Sequence, residues 1–469
     1  MTKKKTTMLK LITSAVLVMA MCLGTMLTTL AAWGPKNEYP VSVGNGDTPA
    51  GASITKRLKV AEDTKLPDTA IFTFTFTKTG IDDDTTTAAT GVMPNMGPLT
   101  INLSKNQAGI ETIVGSGTDA GYTFYVKETG DFLSTITDGV GWPKEGIYKY
   151  RVKETGSGIV LNSADAVNEG AYYSIAEYDF EIWVAADSTG KMIPKYVVAR
   201  TVKDAVDEYY PGDPGGTKVD PTPGGVKHED GITIGDDFSQ VMFTNRYWRS
   251  DGGGEENPKV DALVVSKTVT GNGADHTMYF PFTVTVTQPA IILPTTPAKV
   301  YMAYVLDSND NFVTAAANYG GTLLTDAGGR LYIPFTSNAA LTVNLKDGQK
   351  LGFADLHVGA KVEVMEARQA KYRASYVRTF GPNPGTFTAP NADVAWGFPR
   401  NPGDVGPHYI VSGSGTTANK ADFTNHCTGE IPTGISVDNL PYVVFIGIMV
   451  LALLGFVVIK SRKNGKYDI

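Results

Sequence analysis

From Ile71 to Phe76 the chain reads Ile-Phe-Thr-Phe-Thr-Phe, a strict two-residue alternation that sorts apolar and polar side chains onto opposite faces of an extended segment. A helix cannot use such a pattern, because its 3.6-residue turn would scatter the phenylalanines around the whole circumference. The alternation returns at Tyr148–Val152, Tyr178–Val184, Phe282–Val286 and Lys361–Met365, rich in Thr, Val and aromatic residues. Those residue types suit half-buried strands. The 51 glycines and 26 prolines supply the turns that many strands require. Between the ends no amphipathic helix stands out. The expected fold class is all-β, with two tandem immunoglobulin-like β-sandwich domains.

Two segments break the pattern. Residues 1–32 carry Lys3, Lys4, Lys5 and Lys10, then an apolar run from Leu11 to Leu30 and the small-residue exit Ala31-Ala32, the layout of a secretion signal peptide. A bulky Met21 ahead of Cys22 argues against a lipoprotein signal. Near the other end, residues 440–459 form an apolar run of membrane-spanning length. The basic tail 460–469, with Lys460, Arg462, Lys463 and Lys466, would stay on the cytoplasmic side.

These ends hold eight Lys/Arg and, counting Asp438 just ahead of the apolar run with Asp468, two acids, so the segment between them is more acidic than the whole chain at −7. That balance argues against nucleic acid as a partner, which needs clustered Lys/Arg. Only Cys22 and Cys427 occur, and Cys22 would leave with the signal. An exported protein is free to use disulfides, yet this one can form none internally.

The halves repeat. After a mature N-terminal segment (33–51), a first domain (52–249) reads SITKRL, FTFTF, LTINL, YKYRVKE and FTN. A linker (250–258) rich in Gly, Glu and Asn leads to a second domain (259–427) reading VVSKTV, FTVTV, LTVNL, KVEVME and FTN. One order of elements with variable loops indicates two copies of one domain. The stretch Pro211–Gly225 holds four prolines and is expected to be a surface loop.

Each copy carries a Lys on its first strand, a Glu after a late alternating strand and an Asn ending its last strand. These are Lys56, Glu154 and Asn245, then Lys267, Glu366 and Asn425. The Lys-to-Glu separations are 98 and 99 residues. Taken singly they read as a snorkelling Lys, a solvated Glu and a turn-opening Asn. Taken together, they suit amide exchange, in which a lysine amine attacks the asparagine carboxamide and expels ammonia. The lysine must be neutral to attack; burial lowers its pKa and raises that of the glutamate, which then moves protons. Fixed proximity supplies most of the acceleration. Rivals in the first copy are Lys59, which an odd spacing puts on the other strand face from Lys56, and Glu128, whose YVKETG duplicates RVKETG at Glu154.

The motifs TKRL, FTFTF, GIYKYRVKE and FTN in the first copy, with LVVSKTVTGNG, LTVNLKDGQKL, LHVGAKVEVME and FTN in the second, resemble the sortase-assembled pilins of Gram-positive bacteria, the streptococcal major pilin among them. The resemblance runs from about residue 52 to the C-terminus. It implies isopeptide-linkage domains, with Lys56 joined to Asn245 through Glu154 and Lys267 to Asn425 through Glu366. It also implies a sorting signal over 428–469, with the motif Glu430-Ile431-Pro432-Thr433-Gly434 (430–434) cut by a sortase between Thr433 and Gly434.

Expected partners follow from the same resemblance: a sortase, then other pilin subunits or peptidoglycan, with any host or surface ligand unnamed and the membrane touched only before processing. The implied role is a structural pilus-shaft subunit serving adhesion at the cell wall; a monomeric wall-anchored adhesin or minor pilin is the alternative. No enzyme activity beyond self-catalysed cross-linking is expected. In the family the polymerisation lysine sits shortly before the first-domain Asn, where this chain has Phe238; Lys218 and Lys227 are the candidates, with Lys203 beside them. The five histidines are scattered, Asp307–Asn311 reads as a turn instead of a calcium loop, and neither a metal nor a cofactor is expected.

Overall fold

The alternating segments are strands in the computed structural model, which describes residues 41–136, 141–155, 158–161, 169–203, 216–224, 238–259, 261–292, 298–381, 384–399, 404, 408–411, 419–428 and 440–464. The signal segment 1–32, Lys227 and the sorting residues 430–434, including Thr433 and Gly434, lie outside the described residues. The fold is mostly β and divides into two units, Met1–Arg249 and Ser250–Ile469.

The first unit contains β1 (Val41–Val43), β2 (Thr55–Ala61), β3 (Ile71–Ile81), β4 (Leu99–Asn102), β5 (Glu111–Val114) and β6 (Tyr122–Glu128). It continues with β7 (Gly146–Thr155), β8 (Glu169–Tyr172), β9 (Glu177–Ala186), β10 (Met192–Lys203), β11 (Lys218–Val219) and β12 (Met242–Asp251). One sheet runs β1-β10-β9-β7-β3-β4, with β11 also on β10; the other places β12, β2, β6 and β5 side by side, with β8 on β12. The core draws on both: Phe72, Phe74, Tyr150, Val152 and Phe180 from the first, Leu58, Val60, Phe243 and Tyr247 from the second. Each such side chain removed from water contributes about 1.5–3 kcal/mol. β2 and the last strand, β12, are parallel neighbours, Phe243 opposite Lys56.

The second unit contains β13 (Leu263–Thr270), β14 (Phe280–Thr287), β15 (Val300–Leu306), β16 (Leu324–Thr325), β17 (Leu331–Thr336), β18 (Ala340–Leu345) and β19 (Lys350–Phe353). β20 (Leu356–His357), β21 (Lys361–Glu366), β22 (Tyr372–Arg378), β23 (Gly385–Thr388), β24 (Trp396–Phe398) and β25 (Lys420–Cys427) complete it. Its sheets run β16-β17-β15-β19-β13-β25-β22-β23 and β18-β14-β21-β24, and its core again takes from both. Here too the first and last strands, β13 and β25, pair in parallel.

Inside the expected Pro211–Gly225 loop, Lys218–Val219 forms a short strand on β10. The prolines flank these two residues, so no ladder donor is lost. Asp307 closes its turn by accepting the N–H groups of Asn309 and Asn311. The C-terminal apolar run is a helix, Leu440–Asn464, with exposed side chains from Val444 to Ile459. Among the described residues no helix is long and apolar enough to cross a membrane; the side chains at both ends of this helix are outside those described.

Candidate functional site: two buried lysine–glutamate–asparagine trios

Alternation decides where each trio member points. Along β2, Lys56 shares its face with Leu58 and Val60, so the amine is carried into the core with them. Lys59 falls on the other face, where it meets Asp119 at 2.6 Å and lies over the Tyr122 ring. In β12 the inward set is Phe243, Asn245 and Tyr247, and in β7 it is Tyr150, Val152 and Glu154. The second unit repeats this: Val265, Lys267 and Val269; Phe423, Asn425 and Cys427; Val362, Val364 and Glu366.

The structure brings each trio together. Lys56 Nζ lies 2.5 Å from Glu154 Oε2, and Asn245 Nδ2 donates to Glu154 Oε1 at 2.7 Å. Lys267 Nζ donates to Glu366 Oε1 at 2.9 Å, and Asn425 Nδ2 donates to the same oxygen at 2.6 Å. Lys56 is 0% exposed and Lys267 1%. In both units the Asn stands two residues beyond the strand partner of the Lys, since Lys56 faces Phe243 and Lys267 faces Phe423. A phenylalanine ring covers each amine at 4.3 Å, Phe72 in the first unit and Phe280 in the second.

Burial dominates the electrostatics. It pushes Lys56 and Lys267 down to about 8, against the pull of their glutamates. Burial likewise raises Glu366. A buried Lys whose charged form is this disfavoured has a sizeable neutral, nucleophilic fraction near neutral pH. Each arrangement therefore holds a weakly basic amine, a carboxamide and a proton carrier in contact, away from water.

Glu128, the rival glutamate, is elsewhere. It lies opposite Thr55 on the neighbouring strand of the same sheet, whereas Glu154 reaches Lys56 from the facing sheet. Glu128 accepts from the Ser239 N–H, the Gly224 N–H and the Ser53 hydroxyl, pinning the segment that leads into β12. Lys218 sits half-buried on β11, its pKa lowered by burial and then by Arg200.

Sequence reasoning missed two features. The Ser174 N–H donates to Asn245 Oδ1 at 2.7 Å; a backbone donor has no residue signature. In the second unit, buried Asp404 accepts from Arg378, the Tyr376 hydroxyl and His408. His408, one of the scattered histidines, is fully enclosed there.

A family described as a domain of unknown function (DUF7601) matches residues 261–395. No curated protein matches this chain. A solved major pilin from Streptococcus pyogenes is 17% identical with a TM-score of 0.27, over 80% of this chain and 98% of that one. Another Streptococcus pyogenes major pilin is 14% identical with a TM-score of 0.25, over 83% and 99% of the two chains. A pilus-presented adhesin is 13% identical with a TM-score of 0.20, over 54% of this chain and 36% of its own. Among solved structures, this chain is thus similar to streptococcal major pilins and to a pilus adhesin.

Proposed function

We propose that the chain is a structural pilus-shaft subunit of a Gram-positive cell surface, built of two immunoglobulin-like sandwiches that each weld themselves shut during folding. The weld is an isopeptide bond, Lys56 to Asn245 in the first unit and Lys267 to Asn425 in the second. Lys Nζ attacks Asn Cγ, Nδ2 leaves as ammonia, and the glutamate between them carries the proton from the incoming nitrogen to the departing one. Amides are sluggish electrophiles, and the fold offsets this with effective molarities on the order of 10⁵–10⁸ M.

The observation that carries this reading is the recurrence of one buried Lys–Glu–Asn arrangement, in matched strand register, in both units. A buried ion pair of this kind gains little as a stability device, so its duplication favours chemistry. Export by the 1–32 signal, membrane retention by the 440–459 run and sortase cleavage at Thr433–Gly434 complete the proposal. The cleaved Thr433 would be transferred to a lysine of the next subunit or to peptidoglycan.

Intact-mass measurement tests it. Each bond removes one ammonia, about 17 Da, so the folded chain should weigh about 34 Da less than its translated sequence. A mass equal to the translated value would end the proposal.

A further inference from the structure

The trios differ in what holds the asparagine carbonyl. In the first unit the Ser174 N–H donates to Asn245 Oδ1 at 2.7 Å. In the second, Asn425 Oδ1 and Glu366 Oε2 are buried with no hydrogen-bond partner among the described residues. The ladders explain the difference. β8 pairs with β12 only from Arg249 to Arg246 and ends at Tyr172, one pair short of Asn245. The chain therefore leaves the ladder where the asparagine stands, and Ser174, two residues on, turns its N–H onto the side chain. β22 instead runs past its asparagine unbroken, Ala374 opposite Asn425 and pairing continuing to Arg378. The ladder to β25 thus continues on both sides of Asn425.

We infer that the Ser174 N–H is an oxyanion donor for the first cross-link, and that the second unit, with no such donor among its described residues, must polarise its asparagine with a protonated Glu366. This rests on the cross-linking reading above. In the first unit Lys56 Nζ adds to Asn245 Cγ and the carbonyl pair moves onto Oδ1, where the Ser174 N–H already points. Glu154 takes a proton from Nζ through Oε2 and delivers it to Nδ2 through Oε1. The Cγ–Nδ2 bond breaks, ammonia leaves, and the Nζ–Cγ amide remains. In the second unit, turning the carboxamide over exchanges Oδ1 and Nδ2 and sets the oxygen against a protonated Glu366. Glu366 gives its proton to Oδ1 as Lys267 Nζ adds to Cγ, takes one from Nζ and passes it to Nδ2, and recovers the Oδ1 proton as the Cγ–Nδ2 bond breaks and ammonia leaves.

The two reactive forms carry different proton counts. The first has a neutral lysine with an ionised glutamate, one proton fewer than the resting Lys⁺–Glu⁻ pair. The second has a neutral lysine with a protonated glutamate, the same count as its resting pair. The charged groups acting on the amines are Glu154 on Lys56, and Glu366 with Asp347 on Lys267. The first rate should rise with pH and level off above about 8; the second should be level below about 8 and fall above it.

The test follows both cross-linked peptides by mass spectrometry after cell-free synthesis of the full-length chain, at pH values on either side of 8. A second sample carries the α-hydroxy analogue of Ser174, an ester that lacks the N–H. The ester should slow the first bond roughly a hundred-fold and leave the second unchanged. An ester form that closes the first bond at the parental rate, or identical pH profiles for both bonds in the parent, overturns the inference. The second bond reports folding in the same molecule, and the parental pH profiles decide the matter if the ester unfolds the first unit. A parent chain in which neither bond forms would instead fail the cross-linking reading itself, and this inference with it.

Discussion

Phe74 and Phe282 are structural equivalents: each stands opposite the glutamate of its trio, Glu154 and Glu366, on the neighbouring strand. Each also packs on an aromatic of the last strand, Phe243 at 4.9 Å and Phe423 at 5.1 Å. The residue two positions earlier, Phe72 or Phe280, is the one that covers the amine. Phe280→Ala should therefore do more than leave a cavity costing about 3–5 kcal/mol. Water reaching Lys267 would keep it charged, so the second cross-link should form slowly or incompletely while the first is unaffected. Peptide mapping of the two bonds checks this.

Removing a proton carrier should separate the two units chemically. Glu154→Ala and Glu366→Ala should each leave one bond unmade, so each variant retains a deficit of about 17 Da instead of about 34 Da. A doubly cross-linked Glu366→Ala chain would contradict the role given to that residue.

Without its bonds the protein should gain stability as the solution is made alkaline. In an Asn245→Ala/Asn425→Ala chain the folded lysines titrate near 8, and the unfolded ones near 10.5. Between those values the unfolded chain binds more protons, so stability rises with pH, by up to about 1.4 kcal/mol per pH unit and lysine. Below 8 the burial penalty is constant and this slope vanishes. Denaturant titrations across that window measure it. The same chain should be less stable than the parent by roughly 5 kcal/mol per missing bond, from loop entropy alone.

Asp404 offers a control outside the two trios. Arg378 and His408 are both enclosed against it. Asp404→Ala should destabilise the second unit by about 3–5 kcal/mol, because it strands a buried guanidinium. Thermal unfolding should show the loss, with both cross-links still formed.

Polymerisation through Lys218 or Lys227 predicts high-molecular-weight ladders in denaturing gels of wall extracts. Lys218→Arg with Lys227→Arg should collapse them to a single band. A single band from the parent would favour the monomeric adhesin.

Strands were legible because period-two alternation is a direct imprint of a sheet with one buried face, and the trios because their members fall on inward positions of such strands. The same periodicity hid a two-residue offset. FTFTF matched to FTVTV sets Phe72 against Phe282, whereas the ladders pair Phe74 with Phe282. A shift of two preserves every inward and outward face, so string matching cannot detect it. Glu128 and Glu154 could be told apart by spacing to Lys56, but which sheet each occupies is a tertiary fact. The Ser174 donor depends on where a ladder stops and the Asp404 cluster on contacts between β22 and Asp404, and neither leaves a pattern in the sequence.

Because β2 runs parallel to β12, and β13 to β25, pulling the two ends of either unit slides neighbouring strands along each other. Every rung of the ladder is then loaded at once, a shear geometry, where an antiparallel pair pulled from one end would open rung by rung. A subunit stretched along its chain direction would resist until the whole row gave way together, even before any side-chain bond is counted.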